Sequence, residues 1–511
     1  MNLVKEPWIP VVKTNGEKTE ASVLDVFLSG AAYADLAVRP HERVALMRLL
    51  ICIAQAALDG PENNVQWEKV PGLLPAKADE YLTKSEWKDS FHLFHQEKPF
   101  LQIAGLEPSD PSPVCKLDFA MATGNNSTLF DHRGNDAEER PLPEGQLALN
   151  LVTFQNFSSG GGASIATWKD VKTKQVGNPD APCLKGAMYH AFLKGANLAE
   201  TIHLNLLTRN TVNLAFGNDG WGKPVWEQMP SGPDDKQAIA NATLTYLGRL
   251  VPLSRWIKLM DPSWMIWGNG FTYPIFPDFR CPEPSATSIK GKDEKGRPIR
   301  VLLKASHARG VWRQLAALVV KRRAGNVGGA LALENVPDDK GFDIHVCALL
   351  RNQATIEAFQ ESIFHIPAGM TTDIGRKIYE DEVELAEAKA RRLGRAVEKW
   401  RREMDPDWEQ KLKAAGKDKN KLRERLRSIA TNHFWTAVEK NLPLLLAYTF
   451  SLGEDNINER EKNWRRAVSR AARESYDLAC GRESPRQLRA FAMGLRILER
   501  AEIPKTEKQE E

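Results

Sequence analysis

The chain has 511 residues, 42% hydrophobic and 27% charged, enough for two or more domains with real cores and unlike a disordered or fibrous protein. Its net charge of +4 permits a polyanionic partner without demanding one. No 18-residue apolar run predicts a membrane span, no apolar leader core follows Met1, and the six scattered cysteines (52, 115, 183, 281, 347, 480) form neither a zinc pattern nor a disulfide framework, so free thiols in a reducing cytoplasm are expected.

In chain order, Leu3-Val4 and Trp8–Val12 read as strands of a small sheet, with Asn15-Gly16 as a hairpin turn. A buried helix is predicted where Ala45, Leu46, Leu49, Leu50, Ile53 and Ala57 share a face, between Pro40 and Gly60. Trp87, Phe91 and Phe94 suggest another, ending before Pro99. Residues 105–146 and 155–183 read as long loops, the second containing Gly160-Gly161-Gly162. Lys290 to Arg297 reads as a basic hairpin tip leading into a strand at 299–303.

From about residue 370 the texture changes. Proline becomes scarce, and four amphipathic stripes predict a helix bundle over 370–502. They are Ile378–Trp400, Leu422–Leu445 (bent at Pro443), Trp464–Leu478 and Leu488–Leu498, the last started by Ser484-Pro485. The fold class is therefore α+β: a mixed α/β domain over 1–367, the bundle, and a disordered tail at 503–511. Arg376 to Arg427 holds 17 Lys/Arg against 12 Asp/Glu, and Arg460, Lys462, Arg465, Arg466, Arg470 and Arg473 form a second basic group. Either these are solvated faces with internal ion pairs, or they meet a phosphate backbone.

Catalytic signatures are missing. Gly217 to Lys223 has the spacing of a phosphate loop, but Pro224 stands where a magnesium-binding hydroxyl belongs and removes an amide. There is no His-Glu-x-x-His and no Gly-x-Ser-x-Gly. Asp131-His132 could be drawn as a catalytic pair, yet adjacent polar loop residues more often bond locally.

Several segments together resemble the CasA family, the large subunit of the type I-E CRISPR surveillance complex Cascade. They are Asn2-Leu3 with Trp8-Ile9-Pro10-Val11, Leu50 to Gln55, Lys98-Pro99-Phe100-Leu101-Gln102, Gly124 to Asp131, Phe154 to Phe157 followed by Gly160–Gly162, and Arg351 to Glu357. The resemblance spans nearly the whole chain. It implies a non-catalytic subunit that reads the protospacer-adjacent motif (PAM) of double-stranded target DNA through the minor groove, starts strand separation for the guide RNA, and recruits the helicase–nuclease.

It also implies site residues. Gly160, Gly161 and Gly162 would bring bare backbone to the groove; the alternative is a flexible loop. Gln353, with Asn352 capping a helix start and Ala354 beside it, would act as a wedge under the first base pair; the alternative is capping alone. Asn126, Leu129, Phe130, Asp131 and His132 would anchor to the guide RNA's 5′ handle and neighbouring Cascade subunits, unless Phe130 packs into its own core. Lys258, Lys290 and Lys292 are candidates for a minor-groove lysine, and Arg465 and Arg466 for phosphate contacts. No cofactor, zinc or membrane is expected. The competing readings are an unrecognised hydrolase and a protein-only scaffold.

Overall fold

The computed structural model describes residues 1–107, 110–118, 140–274, 283–293, 295–322, 327–352, 355–450 and 455–499. The chain divides into two compact units, Met1–His365 and Ile366–Glu511.

In the first unit, strands β1 (Ile9–Lys13), β2 (Lys18–Ala21) and β3 (Tyr33–Leu36) form an antiparallel sheet in the order β2-β1-β3. The β1–β2 turn is the expected hairpin, with Gly16 at φ +87°, where a side chain would be strained. Leu3-Val4, expected as a strand, makes a turn instead. The Lys5 and Glu6 amides donate to the Asn2 carbonyl, and the Leu3 carbonyl accepts the buried Trp8 indole N–H at 2.9 Å. A buried indole needs such a partner, and here local bonding prevails over strand pairing.

The expected buried helix runs Pro40–Leu58, with proline in its first turn and Asp59 closing it at φ +47°. Leu46, Leu49, Leu50 and Ile53 are fully buried, and so is Arg48 at its centre. Arg48 and Arg249 both bond Glu283, at 2.6 and 2.7 Å, and all three side chains are 1% exposed. A single carboxylate thereby ties three distant stretches of sequence inside the core.

Trp87 and Phe91 belong to no α-helix. A single 3-10 turn, Lys88–Phe91, stands there, because its main chain bonds the N-terminal segment instead (Leu3 N–H to Phe91 O, 2.9 Å; Leu93 N–H to Met1 O, 3.0 Å).

Further strands are β4 (Ser112–Pro113), β5 (Thr167–Trp168), β6 (Val171–Lys172), β7 (His190–Lys194), β8 (Arg255–Leu259), β9 (Trp264–Asn269), β10 (Ser288–Lys292), β11 (Pro298–Leu302), β12 (Phe342–Asn352) and β13 (Thr355–Ile366). They pair as β4-β9-β8, β13-β12-β7 and the two-stranded ribbons β5-β6 and β10-β11. The β10–β11 ribbon is the expected basic hairpin. The helix Glu144–Phe157 shortens both expected loops. It is buried from Leu147 to Phe157, so its sequence shows no polar face to mark it.

The second unit holds helices Asp373–Met404, Trp408–Ala414, Lys419–Lys440, Leu442–Phe450, Ile457–Ala479 and Pro485–Leu498. The first of these packs along the Lys419–Lys440, Ile457–Ala479 and Pro485–Leu498 helices. Buried stripes run through Tyr379, Val383, Ala386, Leu393 and Val397, and through Trp464, Val468, Ala471, Ala472 and Tyr476. Ile429, Leu478 and Leu488, expected inside, are 62%, 60% and 53% exposed. Pro443 does not bend a continuous helix. The chain breaks at Asn441, and the proline occupies the first turn of the next helix, where its missing N–H costs nothing.

Candidate nucleic-acid interface

The glycine segment is held from behind by a chain of polar contacts. Gln155, fully buried, accepts the Arg255 amide at 2.9 Å and donates to the Arg255 carbonyl at 2.9 Å. This fixes the first residue of β8 against the end of the Glu144–Phe157 helix. The Arg255 guanidinium, also buried, then donates to the carbonyls of Ser159 (3.0 Å) and Pro179 (2.9 Å) and, less closely, Ser158 (3.4 Å). Burial draws its pKa down to about 10 while the Asp180 charge holds it up, so it stays a cation at neutral pH.

Arg255 thus clamps two backbone stretches, 158–159 and 179, whose continuations pair. The Gly161 amide donates to Asn178 O at 3.0 Å, and the Asn178 amide returns to Gly161 O at 3.3 Å. The three glycines differ in what the fold asks of them. A Cβ at Gly160 would collide with the Asn178 carbonyl oxygen. Gly161 sits at φ +113°, which disfavours any side chain. Gly162 has open space around its Cβ position and no such backbone angle. It is exposed, on the edge of the ribbon. Folding therefore explains glycine at 160 and 161 and leaves 162 to another cause.

Asp180 joins this loop to the other sequence-predicted segment. One carboxylate oxygen accepts the Gly160 amide at 2.8 Å; the other pairs with the Arg351 guanidinium. Arg351 stands one residue before the end of β12, so the approach to the expected wedge lies against the glycine loop. The helix expected to begin at Asn352 is absent: Asn352 ends one strand and Thr355 begins the next. The alternating, β-rich run into 352 and the Thr355-Ile356 start favour strands, and those outweigh one cap-forming asparagine. Gln353 and Ala354 lie outside the described residues, as do Asn126, Leu129, Phe130, Asp131, His132, Cys281 and the tail at 503–511.

The remaining candidates separate. Lys258 is half-buried on β8, with its ammonium 3.5 Å from the Leu106 carbonyl. Lys290 and Lys292 are exposed on β10, opposite Arg300 and Pro298. Arg465 is engaged within its own unit: it grips Glu382, 3% exposed, through two nitrogens at 2.6 and 3.0 Å. Arg466 is exposed, and no ion pair holds it among the described residues. Much of the basic surplus at 376–427 is likewise paired internally. Glu398 alone collects Arg402, Arg423 and Arg427.

Other motifs are structural. Gln102 donates to Leu93 O and accepts Leu259 N–H, both at 2.7 Å, which accounts for the Pro-Phe-Leu-Gln segment. The Gly217–Lys223 stretch cradles no open site: Lys223 N–H bonds Asn241 Oδ1 at 2.8 Å, and Gly222 packs on Thr245. His345, Cys347 and Glu361 bring three metal-ligand atoms within 4.8 Å. Arg43, however, stands 3.4 Å from the same Glu361 carboxylate, and its charge opposes a cation there.

Residues 2–475 match the family model described as CRISPR-associated protein Cse1. The chain belongs to the Cse1 family. It is 29% identical over 412 residues to the CRISPR-associated protein CasA/Cse1 of Thermus thermophilus, covering 76% of this chain and 75% of that one. The crystal structure of Thermus thermophilus CasA matches with a TM-score of 0.73 at 22% identity, over 98% of each chain. A chain of a CRISPR RNA-guided surveillance complex matches at 0.71 and 18% identity, over 98% of this chain and 99% of that one. The mixed helix-and-strand architecture is thus that of solved Cse1 structures.

In this Cse1-family chain the supports of the loop escaped sequence reading. Asp180 follows Asn178-Pro179 and looks like turn chemistry. Arg255, in Ser-Arg-Trp-Ile-Lys, looks like a surface cation on a strand. A signal was available in Gln155, one of several polar residues of the buried Glu144–Phe157 helix, since a buried amide must be bonded to something.

Proposed function

We propose that this chain is the non-catalytic DNA-binding subunit of a cytoplasmic type I-E CRISPR Cascade complex. It reads the PAM of double-stranded target DNA, starts strand separation, and recruits the helicase–nuclease. The supporting observation is Gly162: an exposed glycine on a rigidly backed ribbon edge, which neither space nor backbone angle requires. Bare main chain of this kind can enter a narrow minor groove, where A·T and G·C are told apart only coarsely. Gln353, flanked by Asn352 and Ala354, serves as the wedge on the connection between β12 and β13. Partial unstacking there costs a few kcal/mol, repaid by the contacts of bound DNA.

Asn126 and Leu129 to His132 anchor the chain to the guide RNA's 5′ handle and neighbouring subunits. Lys290, Lys292 and Arg466 add phosphate contacts, and Lys258 is the weaker candidate because of its half-buried place. The helices of the second unit act as a four-helix bundle that follows the mixed domain. The testing experiment measures binding of duplex DNA, matched to the guide and flanked by randomised bases, to the assembled complex. Flank-dependent binding that Gly162→Val weakens, with assembly intact, supports the reading. Binding indifferent to the flank, or to Gly162→Val, returns the chain to a scaffold.

A further inference from the structure

We propose that the cavity between the start of the Asn64–Leu82 helix and the start of the Arg209–Phe216 helix binds a phosphate monoester, with Arg322 as its buried cation. The site stands apart from the duplex-reading function above: neither the three glycines nor Gln155, Asp180 and Arg255 behind them line it.

Two helices open on this cavity. The Asn63 carboxamide accepts the Gln66 amide at 3.1 Å, and the Thr208 hydroxyl accepts the Thr211 amide at 3.2 Å. These caps leave the amides of Asn64, Val65 and Asn210 without an acceptor among the described residues, and all three residues line the cavity. The two starts are fixed relative to each other. The Arg209 amide donates to the Pro61 carbonyl at 2.8 Å, and the Trp67 indole to the Leu206 carbonyl at 3.0 Å. A helix start carries free N–H groups and about half a positive charge, which suits an anion. Every exposed helix start shares that property; what sets this pair apart is a guanidinium.

Arg322 is 6% exposed and lines the same cavity. Its Nε donates to the Gly329 carbonyl at 2.7 Å and its Nη2 to the Ala286 carbonyl, and neither of those residues lines the cavity. Nη1 is left over, buried and without a hydrogen-bond partner among the described residues. Buried donors are nearly always paired, because an unpaired one gives up its hydration for nothing. With two nitrogens fixed elsewhere, the third is oriented before any ligand arrives. One guanidinium and two helix starts together present about two positive charges. That matches a phosphate monoester, close to a dianion at neutral pH, better than a carboxylate. Glu334, on the same wall, is already engaged by a partner of its own.

The cavity also has room and surface for an organic body. It encloses 490 Å³, within the range of small-molecule sites. Val65 and Leu214 offer it exposed apolar surface. Asn335 is fixed by its Nδ2 on the Leu204 and Leu206 carbonyls, at 3.0 and 2.8 Å, which keeps its Oδ1 as an acceptor. A nucleotide combines the charge, the apolar face and the hydrogen-bond donor that these groups ask for.

The probe is adenosine 5′-monophosphate (AMP), titrated calorimetrically into the full chain, with inorganic phosphate as competitor and adenosine as the uncharged control. Saturable binding that phosphate displaces and adenosine does not reproduce is expected. Asn210→Asp puts a carboxylate on one helix start; it suits the helix dipole, so folding is kept, and it should weaken AMP on the order of tenfold. Arg322→Gln should weaken AMP at least as much. Where Arg322→Gln does not fold, having lost its two carbonyl bonds, Asn210→Asp decides alone, with a thermal melt to confirm its fold. Absence of saturable binding overturns the proposal. So does adenosine binding as tightly as AMP, or Asn210→Asp binding AMP with parent affinity, since either leaves Arg322 a purely structural cation. The source of the ester is read from a 5′-phosphorylated single strand and its unphosphorylated twin. A preference for the first that Asn210→Asp removes assigns a strand end; equal binding of the two, beside saturable AMP binding, assigns a free nucleotide.

Discussion

Gly160 lies so close to the Asn178 carbonyl oxygen that no other residue fits there without moving the ribbon. Substitutions across the three glycines therefore report different things. Gly160→Ala should lower stability and disturb the loop, and Gly161→Ala should strain φ, by roughly 1 kcal/mol. Gly162→Val should leave the unfolding midpoint unchanged and still reduce duplex affinity. Thermal melts of the chain beside filter binding of the complex separate the three. Equal affinity for Gly162→Val and the parent would remove the groove-entry role.

Arg255 is the keystone of the same loop. Arg255→Met keeps most of the apolar stem but leaves the Ser159 and Pro179 carbonyls without their donor. A loss of about 3 kcal/mol is expected, from buried acceptors left unpaired. Hydrogen exchange should speed up at the amides of 161, 163 and 178, whose ribbon bonds depend on that clamp. Unchanged protection there would place the loop's rigidity elsewhere.

Acid should weaken the first unit well above the range of its carboxylates. His190 is wholly buried, with Nε2 on the Cys183 carbonyl and Nδ1 on the Ser285 hydroxyl, both at 2.9 Å. Burial lowers its pKa to about 4, and burial followed by the Arg39 charge takes His41 to about 3. Both folded values lie below the unfolded value near 6.5, so the unfolded chain binds protons first as pH falls. Their stability contribution is complete above pH 6.5 and is lost as pH drops toward 4 and 3. From pH 7 to pH 5, His190 alone should cost roughly 2 kcal/mol. Urea midpoints at the two pH values test this, and His190→Gln should flatten the difference.

Two adjacent arginines should behave oppositely. Arg465→Ala leaves buried Glu382 without its main partner and should destabilise the second unit by roughly 2 kcal/mol. Arg466→Glu should leave stability alone and reduce the slope of log affinity against log salt by about one. Matching slopes for Arg466→Glu and the parent complex would mean that Arg466 meets no phosphate.

The legible parts of the fold were those written locally. Asn15-Gly16 specifies its hairpin, the apolar run between Pro40 and Gly60 its helix, and Lys290–Arg297 its ribbon. What was hidden depends on residues far apart. The helix Asn64–Leu82 carries Pro71 and Pro75, which read as breakers. Glu144–Phe157 lacks a polar face because everything around it is protein. Asn352 carries cap chemistry that cross-strand pairing overrides. The glycine loop and the wedge segment could be named from a resemblance. Their junction could not, because no local pattern connects Gly160, Asp180 and Arg351.

Glu283 has a further consequence during synthesis. Arg48 and Arg249 leave the ribosome before it, and both rely on its carboxylate for the buried ion pairs at 2.6 and 2.7 Å. A nascent chain stopped short of residue 283 would have to bury two like charges together, so this core closes late and as a whole. Truncations ending in that interval should be held open and cleared by proteases, rather than accumulate as a shortened folded domain.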